Sequence, residues 1–171
     1  MSIERIQQSL GKLSKHFEGQ PQDALSKDAP ATAVLESGLR CRVDGPGGVA
    51  VVTDMPVSIG GTNSAPSPGW LMRAALANCD ATLVALRAAQ LGIVLKHLEV
   101  TAESESDHRG ILGLDEAVPA GPLDVRVTVR VAAEGVSEEQ LRELVHWAEQ
   151  HSPVGDALRR AVPLRVDVVT S

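Results

Sequence analysis

The chain has 171 residues, 43% hydrophobic and only 2% aromatic, which suits a single domain with a core of Leu, Val and Ala. A formal charge of −6 argues against non-specific nucleic-acid binding, which relies on Lys and Arg to neutralise phosphates, and no basic run or basic amphipathic helix suggests a membrane surface. Two cysteines, Cys41 and Cys79, are too few for a disulfide framework and fit a reducing, cytoplasmic setting.

The first twenty residues lack the continuous apolar run of a signal peptide. Ile3, Ile6, Leu10, Leu13 and Phe17 recur at three- and four-residue spacing, which predicts an amphipathic helix. Gly19, Pro21 and Pro30 punctuate a polar linker. Residues 1–30 therefore read as an N-terminal helix and linker, and 31–171 as the main domain. The helix either packs on the body or a second subunit, or is a loosely attached terminal element.

Residues 31–43 and 48–54 read as two strands of a hairpin around Asp44-Gly45-Pro46-Gly47. A Gly/Pro loop over 56–69 feeds a long helix from about 69 to 91, with Gly92 as its stop. Arg73, Asn78, Asp80, Arg87 and Gln90 interrupt this most apolar stretch. Each is costly in a bilayer, so the helix reads as buried in protein. A strand over 95–102, a loop over 103–122 and a strand over 123–132 follow. In the last, Val125, Val127, Val129 and Val131 alternate with polar residues, giving one buried and one wet face.

Ser137 and Gln140 form a capping-box signature for the next helix, with Val136 placed to staple to Leu141. Pro153 ends that helix. A short helical turn around 156–160 leads to a last strand, 164–170. The order α, β-β, α, β-β, α, β predicts an α+β fold with an antiparallel sheet and helices on one side.

Gly60-Gly61-Thr62-Asn63-Ser64-Ala65-Pro66-Ser67-Pro68 leads into Leu71-Met72-Arg73-Ala74-Ala75-Leu76-Ala77-Asn78-Cys79. This resembles the hallmark of the OsmC/Ohr family (osmotically induced protein C and organic hydroperoxide resistance proteins), a Gly/Asn/Pro loop opening a buried helix with a reactive Cys. Arg109-Gly110-Ile111-Leu112-Gly113-Leu114-Asp115 resembles a second family segment. Ser152-Pro153-Val154-Gly155-Asp156-Ala157-Leu158 resembles a third, which ordinarily begins Cys-Pro-Val. The resemblance covers roughly residues 31–169. It implies an intertwined homodimer with antiparallel sheets, a long buried central helix and two active sites at the subunit interface. It also implies that the helix Cys attacks a peroxide, that the second Cys resolves the sulfenic acid as a disulfide reduced by dithiols, and that an Arg and a Glu assist.

This chain departs from that pattern. The helix Cys is Cys79, but Ser152 occupies the second Cys position and cannot form a disulfide. The Glu would fall near Pro68-Gly69-Trp70, where no carboxylate stands. The Arg corresponds to Arg40 or Arg42. Because the thiolate is the nucleophile, a buried mid-helix Cys depends on a nearby cation or donor for reactivity. Without a resolving partner its oxidation stops at sulfenic acid or proceeds irreversibly unless an external thiol intervenes. Cys41 is an alternative resolving Cys, provided its Cα comes within about 7 Å of that of Cys79; otherwise it is a packed strand residue.

Other constellations read as structural. His146 and His151, five residues apart, do not share a helix face, so no zinc site is expected, nor any cofactor. Gly60-Gly61-Thr62-Asn63 lacks the Lys of a phosphate loop and reads as a turn into the helix. His151-Ser152 lacks hydrolase geometry and a nucleophile elbow. Asp80 points about 100° away from Cys79 and reads as a subunit contact or a partner of Arg73 or Arg87. Trp70 and Trp147 read as core or dimer contacts, or as walls of an apolar pocket near Cys79. Two functions stay open: a one-Cys thiol peroxidase detoxifying organic hydroperoxides with an external thiol, or a non-catalytic dimer binding a small apolar ligand at its interface.

Overall fold

The computed structural model describes residues 2–170. The chain divides into two compact units, Met1–Ala74 and Ala75–Ser171. In the first, the apolar spacing at the N-terminus forms α1 (Ile3–Gly19), none of whose residues is fully buried. Three strands follow, β1 (Thr32–Ser37), β2 (Arg40–Asp44) and β3 (Ala50–Thr53), in an antiparallel sheet of order β1-β2-β3.

The single strand expected over 31–43 is in fact a hairpin. Ser37 pairs with Arg40, leaving Gly38 and Leu39 as a two-residue turn, and Gly38 has φ +56°. Positive φ at the first central position suits a primed hairpin turn and favours Gly. The hydrophobic pattern runs straight through such a turn, so periodicity alone does not show it. The turn expected at Asp44-Gly45-Pro46-Gly47 is present, as a short 3-10 segment Pro46–Gly48.

The long helix α2 (Pro68–Gln90) begins in the first unit and continues in the second. It ends as Gly92 dictates, with φ +72°. The Ile93 N–H donates to the Ala88 carbonyl at 2.8 Å and the Gly92 N–H to Ala89 at 3.1 Å, a Schellman closure. β4 (Leu95–Glu105) runs three residues further than expected and pairs antiparallel with β5 (Asp124–Ala133), Val100 opposite Val129. The intervening loop contains a single helical turn, α3 (His108–Ile111).

Helix α4 (Glu138–Gln150) starts on the expected capping box. The Gln140 N–H donates to Ser137 Oγ at 3.2 Å, and the Ser137 N–H to Gln140 Oε1 at 3.0 Å. The core of this unit is Val84 and Ala88 of α2 against Leu144 and Ala148 of α4, with Leu98 and Val131 of the strands packed on it.

Pro153 ends α4 and also opens α5 (Pro153–Arg159), since a missing N–H costs nothing at the first helical position. The expected turn around 156–160 thus begins three residues earlier. The expected last strand, 164–170, is absent. Among the described residues the segment pairs with no strand, and Leu164, Val166, Val168 and Val169 are between 78% and 94% exposed. An alternating pattern specifies a face, but a strand also needs a partner edge. Among the described residues, no helix is long and apolar enough to cross a membrane.

Candidate thiol site

Leu76, Asp80, Val84 and Ala88 recur every four residues and form the buried stripe of α2. Cys79 stands beside that stripe, half-buried. Opposite it is the turn between α4 and α5. Ser152 there is completely buried and caps α5: its Oγ accepts the Gly155 N–H at 3.1 Å and donates to Cys79 Sγ at 3.3 Å. Two motifs separated by 72 residues of chain are thereby brought into contact.

Several features hold Ser152 in place. Pro153 restricts its backbone to an extended conformation. Gly155 is close-packed, since a Cβ there would lie 3.1 Å from Ser152 Oγ and 3.2 Å from an Arg159 nitrogen. Arg159 ties the turn to α4 through the Glu149 carbonyl at 2.7 Å.

The Gly/Asn/Pro loop of the first unit is a cage around one carboxylate. Asp54, at the end of β3 and 2% exposed, accepts from the Met55 N–H at 2.8 Å, from the Thr62 N–H and hydroxyl at 3.1 and 2.6 Å, and from the Ser64 N–H and hydroxyl at 3.0 and 2.9 Å. These donors, the Thr62 hydroxyl foremost and then the Ser64 N–H, hold the Asp54 carboxyl well below the usual carboxylate range. The glycines are needed sterically. Gly60 has φ +90°, and a Cβ on Gly61 would lie 1.9 Å from the Met55 carbonyl oxygen. Asn63 takes φ +54°, which Asn tolerates best among non-glycine residues. With the Thr62 and Ser64 amides turned onto Asp54, the segment is a turn into α2, as the missing Lys suggested. Sequence reasoning overlooked Asp54; its signal is an acid closing a strand, eight residues before a Thr in a Gly-rich turn.

Arg40 donates to this loop, NH1 to Ser64 Oγ at 2.6 Å, and to Glu36 at 3.0 Å. Arg42 is paired with Asp44 at 2.9 Å. Cys41 pairs across the sheet with Leu35 and Thr53. Strand alternation puts its side chain on the face opposite to both arginines.

In the second unit, the Arg109 guanidinium forks onto Asp107 at 3.0 and 2.5 Å. That contact holds the Asp107 carboxyl down to about 2. A Cβ on Gly110 would lie 2.2 Å from the Pro119 oxygen, so this motif clasps its own loop. Asp80 is 5% exposed, and its Oδ1 has no hydrogen-bond partner among the described residues. Arg87 instead bonds Gln90 at 3.1 Å and lies over the Trp147 ring, 4.5 Å from its centre. His151 stacks on Trp147 at 4.0 Å and its Nδ1 contacts the Trp147 carbonyl at 2.7 Å. Among the described residues no cluster of three His, Cys, Asp or Glu is placed to hold a metal.

This architecture is shared with solved structures. An organic hydroperoxide resistance protein OsmC from Legionella pneumophila superposes with TM-score 0.58 at 22% identity, covering 79% of this chain and 91% of that one. An OsmC-like protein from Mycoplasma pneumoniae superposes with TM-score 0.67 at 16% identity, covering 79% and 89%. An organic hydroperoxide resistance protein from Elizabethkingia anophelis, with thiocyanate bound, gives TM-score 0.59 at 23% identity, covering 79% and 90%. These likenesses show a common fold of helices and small antiparallel sheets. No curated protein matches the chain. The family model described as OsmC-like protein matches residues 61–167, more than half of the chain, and with that match the chain belongs to the OsmC-like protein family.

Proposed function

We propose that this protein reduces organic hydroperoxides with Cys79 as the thiol nucleophile, acting as a homodimer in the reducing cytoplasm. The observation that carries the reading is the contact between Cys79 Sγ and Ser152 Oγ at 3.3 Å, which joins the helix motif to the Ser152-Pro153-Val154 motif at one sulfur. Solved structures sharing the fold are named organic hydroperoxide resistance proteins. In the reaction the Cys79 thiolate attacks one peroxide oxygen. The O–O bond breaks, an S–O bond forms, and the other oxygen takes up a proton and leaves as an alcohol, so that the sulfur becomes a sulfenic acid while the hydroperoxide is reduced.

Of the two arginines, Arg40 is the better candidate to assist. It is bound to the loop that opens α2, whereas Arg42 is paired with Asp44. Cys41 faces away from both, so Arg40 and Cys41 cannot serve one site from the same strand of one subunit.

The surface of the lone chain supports the dimer. It exposes 12598 Å², against roughly 9,700 Å² for a protein of this size even if it were two separate globules. The C-terminal segment presents four exposed aliphatic residues, apolar surface of the kind that a subunit contact covers.

The test is peroxide consumption. Reduced protein mixed with cumene hydroperoxide and a dithiol should remove peroxide, and Cys79→Ser should not. Equal rates for the two proteins would discard the peroxidase in favour of a ligand-binding dimer.

A further inference from the structure

The Ser152 hydroxyl has a single proton, and the structure assigns it to sulfur. Its oxygen already accepts the Gly155 N–H, its side chain has no exposure to water, and Cys79 Sγ lies 3.3 Å away as an acceptor for the hydroxyl. The Arg159 brace and the closeness of Gly155 leave the hydroxyl little room to turn elsewhere. A fixed donor of this kind holds the sulfur in one place and meets negative charge on it as it reacts.

Resting on the peroxidase reading above, we infer that Ser152 is a positioning donor to the Cys79 sulfur throughout the cycle, and that the oxidised sulfur is released by a small external monothiol. The hydroxyl stands where a resolving thiol would stand, and it has no redox chemistry of its own. The Cys79 sulfenic acid therefore condenses with a low-molecular-weight thiol: an S–S bond forms, the S–O bond breaks, and water leaves. A second thiol then attacks that mixed disulfide. It expels the Cys79 thiolate and yields the oxidised small disulfide, so two thiols are oxidised for each hydroperoxide reduced. A half-buried sulfur admits a small thiol more readily than the face of a protein reductant.

The experiment uses the full chain in a Cys41→Ser background, with cumene hydroperoxide as oxidant and glutathione as the probe thiol. Intact mass after one equivalent of each should show a single glutathione adduct on Cys79, and excess glutathione should sustain turnover. Ser152→Ala should slow the reaction with peroxide about tenfold, the usual worth of a hydrogen bond to a charged group, and change the pH profile of Cys79 alkylation. Ser152→Cys should replace the adduct with an internal disulfide, and it decides the question if Ser152→Ala does not fold. An unchanged rate and pH profile in Ser152→Ala, or an adduct that persists in Ser152→Cys, overturns the role of Ser152. Loss of turnover in the Cys41→Ser background overturns the external thiol and makes Cys41 the resolver. Peroxide consumption that survives Cys79→Ser is a separate result and removes the peroxidase reading itself.

Discussion

Replacing Leu144 by Ala tests whether the small core between α2 and α4 holds the thiol site together. Leu144 is 1% exposed and is the largest fully buried side chain of its unit. Truncation removes three carbons, worth about 2.4 kcal/mol at roughly 0.8 kcal/mol per buried methylene. The surrounding Val84, Ala88 and Ala148 are short side chains on helices and fill the hole poorly, so a cavity contribution adds to this. The expected loss is about 3 to 4 kcal/mol, within the range for buried Leu→Ala changes. That corresponds to a fall in Tm of roughly 6–16 °C for a chain of this size.

Urea denaturation followed by Trp fluorescence and circular dichroism, at one fixed protein concentration because of the proposed dimer, gives the number. Leu141→Ala is the control, since Leu141 is only partly buried against the same cluster; about half the effect is expected. Peroxide consumption should fall with stability, because α4 leads directly into Ser152. A loss below about 1 kcal/mol for Leu144→Ala, or one equal to that of Leu141→Ala, refutes the idea that this cluster is the anchor.

Ser137→Ala removes the side-chain oxygen that accepts the Gln140 N–H and should cost about 1 kcal/mol, read from the same urea curves, with Gln140→Ala, which removes the other bond of the box, costing less. Gly61→Ala places a methyl against the Met55 carbonyl and should yield protein with a protease-sensitive segment over 55–67 while the α4 signal is retained; an intact, protease-resistant loop would contradict the close approach. Acid should destabilise the clasp at Arg109. The Asp107 carboxyl is held down to about 2, against about 3.9 when unfolded. Its contribution is therefore complete above about pH 4 and is lost as pH falls toward 2. Asp107→Asn should flatten the stability profile over that interval, and an unchanged slope would show that the pair adds nothing.

Which features the sequence revealed follows from the range of the interactions involved. The capping box of α4, the Gly92 stop of α2 and the alternation of β5 are set within a few residues, and all three stand where patterning puts them. The hairpin at Gly38 was missed because a primed turn needs one residue in an unusual backbone region and leaves the hydrophobic pattern intact. Asp54 was missed because its donors arrive from eight and ten residues along the chain, beyond any local template. The strand expected over 164–170 failed for the converse reason: its alternation is a property of the segment, while its ladder depends on docking against an edge, and among the described residues the segment docks on none.

The thiol site divides along the same line. Cys79 and Ser152 are readable singly from motif resemblance, but their contact depends on α2 and α4 packing through Ala88 and Ala148. That packing sets a hydroxyl, not a second thiol, against the Cys79 sulfur. On the proposed peroxidase reading, the hydroxyl can hydrogen-bond the sulfur but cannot close a disulfide with it.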